Sequence, residues 1–224
     1  MHVPDGFIGG AVSAGAGVAA FAGLSVAVKK AGAALDDRRT PLAGLVAAFV
    51  FAAQMITFPI AAGTSGHLIG GVLAALLVGP WAGAVCLAVV VVVQALFADG
   101  GLTALGLNLV NLSLVTTLGG YAVFAALLAL LPKTRGGLLA AAGVAAGASV
   151  VLASTAFVVE YALGGNGGAD AATVFAAMTG VHSLIAVGEG LVTAGALRVV
   201  LASRPDLVHV ASGDGPRVYV EQPA

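Results

Sequence analysis

The sequence predicts an all-α membrane bundle of about seven helices, with the N-terminus outside and the C-terminus in the cytoplasm. Three observations carry this prediction. Of 224 residues, 60% are hydrophobic and 8% are charged, with a mean hydropathy of +1.09, whereas soluble domains are about a quarter charged. Apolar runs recur at the length of about 20 residues that crosses a hydrocarbon core. The basic residues also sort to one side of the resulting topology, as the positive-inside rule requires.

The segments run over 8–28, 41–62, 67–79, 82–98, 108–131, 138–160 and 176–201. They are read as helices because, in lipid, backbone polar groups must be satisfied within their own segment. The first, from Ile8 to Val28, has no basic residue before it and Lys29-Lys30 after it. That order is the reverse of a cleavable signal peptide, so it reads as a retained helix with its N-terminus outside. The third and fourth segments are short and are broken apart at Gly79-Pro80, as a tilted or partly re-entrant pair would be. Gly143-x-x-x-Gly147 in the sixth permits close helix contact, in keeping with 33 glycines overall.

With this topology Lys29, Lys30, Arg38, Arg39, Lys133, Arg135, Arg198, Arg204 and Arg217 all lie in or beside cytoplasmic segments. The external loops carry Asp5, Asp99, Glu160 and Asp170 instead, an acidic face that would favour approach of a cation. Residues 1–202 form one membrane domain, and 203–224 read as a flexible cytoplasmic tail. The single Cys86 excludes an internal disulfide and reads as a packing residue. A net charge of −1 argues against nucleic acid as a partner.

Met1-His2 carries the most specific chemistry. A free α-amine, the His2 backbone nitrogen and the His2 imidazole can chelate one ion through adjoining rings, a nitrogen plane suited to Ni²⁺, Cu²⁺ and Co²⁺. Val3-Pro4-Asp5-Gly6 has turn composition and would fold these residues back onto the bundle; a disordered terminus is the alternative. Gly63-Thr64-Ser65-Gly66-His67-Leu68-Ile69-Gly70-Gly71 places His67 at the same outer end. His67 would supply a fourth nitrogen, or else serve as a hydrogen-bonded packing residue. The Gly-rich loop Asp99–Asn108, with Asn111 a turn further on, would cover a site or simply connect two helices. His182 and Glu189 share one face of the last helix. An ionisable group at mid-membrane, such as Glu189, is costly and marks a partner or a function. The pair is read as outer shell or helix lock, with Ser65, Asp99 and Asn108 as further outer-shell or gating candidates.

Two readings from other classes compete. Gly63-Thr64-Ser65-Gly66 matches a Gly-x-Ser-Gly nucleophile pattern with His182 as base, as in an intramembrane serine protease. Glu189 would alternatively serve a proton or cation channel.

The segments Met1-His2-Val3-Pro4-Asp5-Gly6-Phe7, Thr64–Gly71, Gly79-Pro80-Trp81, Gln94–Gly101 and His182–Gly190 resemble the substrate-capture (S) component of cobalt/nickel energy-coupling-factor transporters, the CbiM/NikM family. The resemblance implies that Met1, His2 and His67 bind Co²⁺ or Ni²⁺ as the transported ligand, with no prosthetic group and no enzymatic activity. It also implies a multi-pass protein of the cell membrane that assembles with a transmembrane coupling (T) subunit and two cytoplasmic ATPase subunits. A small accessory membrane component would be a separate chain. With no Gly-x-x-x-x-Gly-Lys-Ser/Thr loop in the sequence, the chain is not itself expected to be a P-loop ATPase. The α-amine, with a reference pKa of about 7.7–8.0, is expected to make metal affinity fall with pH.

Overall fold

The computed structural model describes residues 1–37, 39–59 and 65–210, the side chains of residues 58, 59 and 65 excepted. Eight α-helical stretches are described: α1 (Gly10–Ala34), α2 (Arg39–Gln54), α3 (Gly71–Val78), α4 (Pro80–Leu96), α5 (Leu105–Asn108), α6 (Gly120–Leu130), α7 (Arg135–Gly164) and α8 (Ala171–Ser203). A π-helical stretch, Leu109–Gly119, joins α5 to α6, so that Leu105–Leu130 is one continuous helix. Between α2 and α3 lie two antiparallel strands, β1 (Thr57–Pro59) and β2 (Ser65–His67), in the register Thr57↔His67, Phe58↔Gly66, Pro59↔Ser65.

The expected helical order holds, but not every predicted segment is a full span. Among the described residues, Gly10–Ala34, Leu105–Leu130, Arg135–Gly164 and Ala171–Ser203 are long and apolar enough to cross a membrane, while α2 and α4 are shorter apolar helices. The segment expected over 41–62 stops at Gln54 and gives way to a strand. The one expected over 67–79 shrinks to the eight residues of α3, and His67 ends a strand instead of opening a helix. Gly70, at φ +78°, is the αL residue that turns this extended chain into α3.

The packed part also runs past the expected boundary at residue 202. A 3₁₀ turn (Pro205–Leu207) follows α8, Val208 and Val210 are buried, and the His209 N–H donates to Leu76 O at 2.9 Å. The His209 ring packs against Gly79, whose φ of +89° leaves room that a Cβ would fill. His209, within the stretch read from sequence as a flexible tail, thus packs on the end of α3. Residues 211–224 lie outside the described residues.

Small residues set the helix contacts. A Cβ on Gly143 would lie 3.1 Å from Gly190 O, and one on Gly147 would lie 2.9 Å from Ala186 O, so α7 and α8 pack backbone against backbone. Large apolar side chains such as Val18, Phe21, Leu184 and Leu191 point outward, as a surface solvated by lipid tails permits. Buried hydroxyls spend their protons locally: Thr116 donates to Leu112 O and Ser149 to Ala146 O. Cys86 is buried, and its thiol donates to Ala43 O at 3.4 Å.

One group of non-helical segments meets around the N-terminus: residues 1–9 bond to the 97–104 loop and to residues 164–166, while residues 35–37, 131–134 and 204–210 are non-α connections and turns elsewhere. At the far end of α1 from the N-terminal segment, Lys30 lies over the Trp81 ring at the start of α4, 4.2 Å from its centre.

Candidate metal centre

The N-terminus is laid into the bundle. Met1 and Val3 are fully buried and His2 nearly so. Two sides hold the strap. Val3 N–H donates to Asn108 Oδ1 (2.7 Å), Asn108 Nδ2 donates to Val3 O (3.1 Å), and Gly101 N–H donates to the same carbonyl (2.9 Å). Asp5 Oδ1 accepts from the backbone N–H (2.7 Å) and hydroxyl (2.6 Å) of Thr103. These bonds, the hydroxyl first, hold the Asp5 carboxyl below its ordinary range. On the far side Asn166 N–H donates to Phe7 O and Gly9 N–H to Gly164 O, while the Phe7 ring sits 5.2 Å from that of Tyr161. At its two glycines the loop over the strap has no room for a side chain. A Cβ on Gly101 would strike the Asp5 backbone, and one on Gly100 (φ +108°) would meet the His2 ring and Asn108.

This strap stacks His2 on His67, with ring centres 4.8 Å apart and planes at 28°. Each ring has one nitrogen fixed as a donor. His2 Nε2 faces Gln94 Oε1 at 3.1 Å, and His67 Nδ1 faces Leu68 O at 2.8 Å. Because those oxygens only accept, the ring protons sit there, and His2 Nδ1 and His67 Nε2 are left as free lone pairs. Both atoms are buried without a hydrogen-bond partner.

His2 Nδ1 also lies 3.3 Å from Asp99 Oδ1. With the proton on Nε2, these are two acceptors facing each other, an arrangement that a cation between or beside them would relieve. The Met1 amine completes the group. Burial pushes it from its ordinary 8.0 down to about 5, against the pull of Asp99, so at neutral pH it is an uncharged amine with its own lone pair. A pocket of about 320 Å³ opens onto His2, walled by Asp5, Ala98, Asp99 and Gly101. Among the described residues no three His, Cys, Asp or Glu side chains converge as a metal cluster. A nitrogen-rich site here must therefore draw on the amine and backbone as well as on imidazoles.

Beneath His67 the extended chain dips into the bundle. Ile69 N–H and Gly70 N–H donate to the two oxygens of Glu189 (2.7 and 2.6 Å), and Gln54 Nε2 donates to Ile69 O (2.7 Å). Glu189 stands 18 residues into α8, about 27 Å from its start at 1.5 Å per residue. Non-helical backbone at that depth survives only if protein groups satisfy it, and Glu189 and Gln54 do so. Glu189 also places a carboxylate at the N-terminus of α3, where the helix dipole favours it. His182 is fully buried, donating from Nδ1 to Met178 O (2.7 Å) with Nε2 unpartnered.

Met1, His2, His67, Asp99 and Asn108 thus come together, and Glu189 supports them from below. The Ser65 backbone lies in β2, but its side chain and residues 60–64 lie outside the described residues. Of the four acids assigned to an outer face, Glu160 is within α7 and accepts from Asn111 Nδ2 (2.7 Å), and Asp170 caps α8 through Thr173. Sequence reasoning assigned no role to Gln94, Gln54 or Asn166. The first two carried a usable signal, a lone amide within an apolar run, which is costly in a membrane without a purpose.

The family model for the cobalt uptake substrate-specific transmembrane region, CbiM, matches residues 2–207. The cobalt transport protein CbiM of Sorangium cellulosum is 36% identical over 175 residues, covering 75% of this chain and 76% of that protein. The fused nickel transport protein NikMN of Rhodobacter capsulatus is 34% identical over 227 residues, covering 93% of this chain and 64% of the relative. The crystal structure of a truncated transition metal transporter superposes with a TM-score of 0.83 at 28% identity, covering 90% of this chain and 99% of that one. The chain is a membrane protein and belongs to the CbiM family of cobalt uptake substrate-specific transmembrane regions.

Proposed function

We propose that the chain is the metal-capturing membrane subunit of an energy-coupling-factor importer of Co²⁺ or Ni²⁺. It binds the ion with the Met1 amine, the His2 backbone nitrogen, His2 Nδ1 and His67 Nε2. One observation carries the reading: two stacked imidazoles, each proton-locked on its outer nitrogen, hold buried lone pairs beside a desolvated amine. A hydrated cation would enter at Asp99 and exchange its water for nitrogen. Such a donor set suits late first-row ions over Mg²⁺ and Ca²⁺, which prefer oxygen. The protein does no bond-making chemistry on its cargo. Coupling and ATP hydrolysis belong to a separate transmembrane (T) subunit and cytoplasmic ATPases, and the accessory component to another chain, all at a cell membrane with the site facing outward. Glu189, tied to two backbone N–H groups, supports the His67 segment and offers no free carboxylate to a channel.

Titration of the purified chain with Ni²⁺ and Co²⁺, with and without one Gly before Met1, tests this. Affinity lost by 100-fold or more in the extended form supports the site, an estimate in line with loss of a chelating donor. Equal binding by both forms, or by neither, refutes it.

A further inference from the structure

α1 meets the rest of the bundle along a thin line. Of its 25 residues only Ala20, Ala27 and Ala31 are buried, all of them alanines. Methyl groups fill little space, and two grooves stay open beside the helix. One, of about 670 Å³, lies between α1 and the start of the Leu105–Leu130 helix, with Phe21, Ser25, Leu105 and Leu109 among its walls. The other, of about 280 Å³, lies between α1 and α4 against Val85, Val89 and Val92. Leu24, Val28 and Leu109 belong to both, so the grooves adjoin. Their walls are apolar except for the Ser25 hydroxyl, which is spent on Phe21 O at 2.7 Å.

Both grooves lead to charge at the same end of α1. The Phe21–Ser25 stripe reaches Lys29 one turn further on. On α4, Trp81 stands one turn before Val85, and the Lys30 ammonium sits over its ring, 4.2 Å from the centre. Both lysines are exposed, and among the described residues no carboxylate pairs with either. The nearest acids along the chain, Asp36 and Asp37, follow the end of α1, and Asp36 Oδ1 accepts from Arg39 N–H at 2.7 Å. A Trp ring and two unpaired lysines at the mouth of apolar grooves match a lipid of acidic headgroup. A zwitterionic lipid would bring the same chains but set its own cation beside two ammonium groups. A soluble anion would leave the grooves empty.

We propose that the two grooves and the Lys29, Lys30 and Trp81 side chains form a binding site for a phospholipid with an anionic headgroup. Its phosphate lies against the lysines, and its acyl chains follow α1 from Val28 toward Gly17. That stretch measures about 16 Å, close to half of a hydrocarbon core of roughly 30 Å and so to the depth of one leaflet. The lipid supplies the contact that the alanines of α1 do not, and anchors the helix whose other end carries the Met1-His2 strap. The site is independent of the metal centre.

Trp81 is the single tryptophan of the chain, so its fluorescence reports this place alone. The test puts the purified full chain in phosphatidylcholine bilayers holding a minor share of lipid brominated in its acyl chains, which quenches only at close range. Brominated phosphatidylglycerol is expected to quench as if enriched about five-fold or more beside Trp81 over brominated phosphatidylcholine at the same share. The enrichment should vanish in a Lys29→Gln, Lys30→Gln double variant and persist when both lysines become arginine. Val89→Phe, which fills the α4 groove from a position 53% exposed, should lower it with both lysines in place. Equal quenching by the two lipids would overturn the site. So would an enrichment that survives the glutamine pair, since it would belong to basic charge elsewhere on the protein. An enrichment abolished by inorganic phosphate, but not by sodium chloride of equal ionic strength, and indifferent to Val89→Phe would reduce the site to one for a soluble anion. Quenching by neither lipid would show the face covered by protein, a second copy of this chain, and would also overturn the proposal.

Discussion

Two regions of this molecule are specified by different physics. The paired helices α7 and α8 meet through Gly143, Gly147, Ala186 and Gly190, with contact set by the absence of side chains. The cap around His2 is set by individual hydrogen bonds spanning most of the chain: Val3 to Asn108, Asp5 to Thr103, Ile69 to Glu189, Gly6 to Asn166. Packing of small residues tolerates sliding and compensating change, whereas a network of single bonds ties each donor atom to a named partner. A metal site that needs neutral nitrogens at fixed positions is built from the second kind and merely carried by the first.

Variants that strike one region and spare the other sharpen this contrast. The largest effect is expected from His67→Ala, which removes a donor outright: Ni²⁺ affinity by calorimetry should fall about 100-fold or more, alongside a lower melting temperature from the cavity left at a fully buried site. Gln94→Ala comes next. It frees the His2 ring to carry its proton on Nδ1, and affinity should fall about 10- to 100-fold; an unchanged affinity would show that the tautomer lock is unimportant. Glu189→Gln replaces an acceptor of two N–H bonds by one oxygen and an amide donor. It should cost about 1–3 kcal/mol, seen as a lower melting temperature that added metal partly restores. Gly143→Leu should destabilise the bundle by a similar amount through overpacking, about 1–3 kcal/mol. Its ratio of Ni²⁺ to Co²⁺ affinity should stay as it was.

The smallest effect is in proton release. Were the amine to keep its reference pKa, binding at pH 7 would displace its proton and that of the His2 amide. Because burial lowers the amine to about 5, only the amide proton should leave, about one per metal, measured by calorimetry in buffers of different ionisation enthalpy. The same shift sets the stability of the metal-free chain. Between about pH 5 and 8 the unfolded state holds the extra proton, so stability rises with pH across that window and is lost as pH falls through about 5.

Much of the cap could be read from residue types alone. Met1-His2, the turn at Val3–Gly6, the Gly-rich neighbours of His67 and the 99–108 loop all declare unusual backbone or unusual donors. Hydropathy could not show where His67 lies in depth. Three-residue strands carry too little alternation to register, so the apolar run over 41–62 hid a strand and that over 67–79 hid an extended segment. The roles of Gln54 and Glu189 depended on that depth, because they answer backbone groups that a helix would have satisfied by itself. Gln94 was legible only as an oddity among valines; its bond to His2 spans 92 residues and leaves no local trace.

The 33 residues of α8 measure about 50 Å, far more than the roughly 30 Å of a hydrocarbon core. Such a helix must tilt or protrude, and the thickness of the surrounding lipid sets how far. Since Glu189 ties α8 directly to the backbone beside His67, a change of tilt is passed to the histidine as a shift in position. Bilayer thickness thereby becomes a variable of metal affinity, and lipids of short and long acyl chains should bind the same ion through the same atoms with different strength.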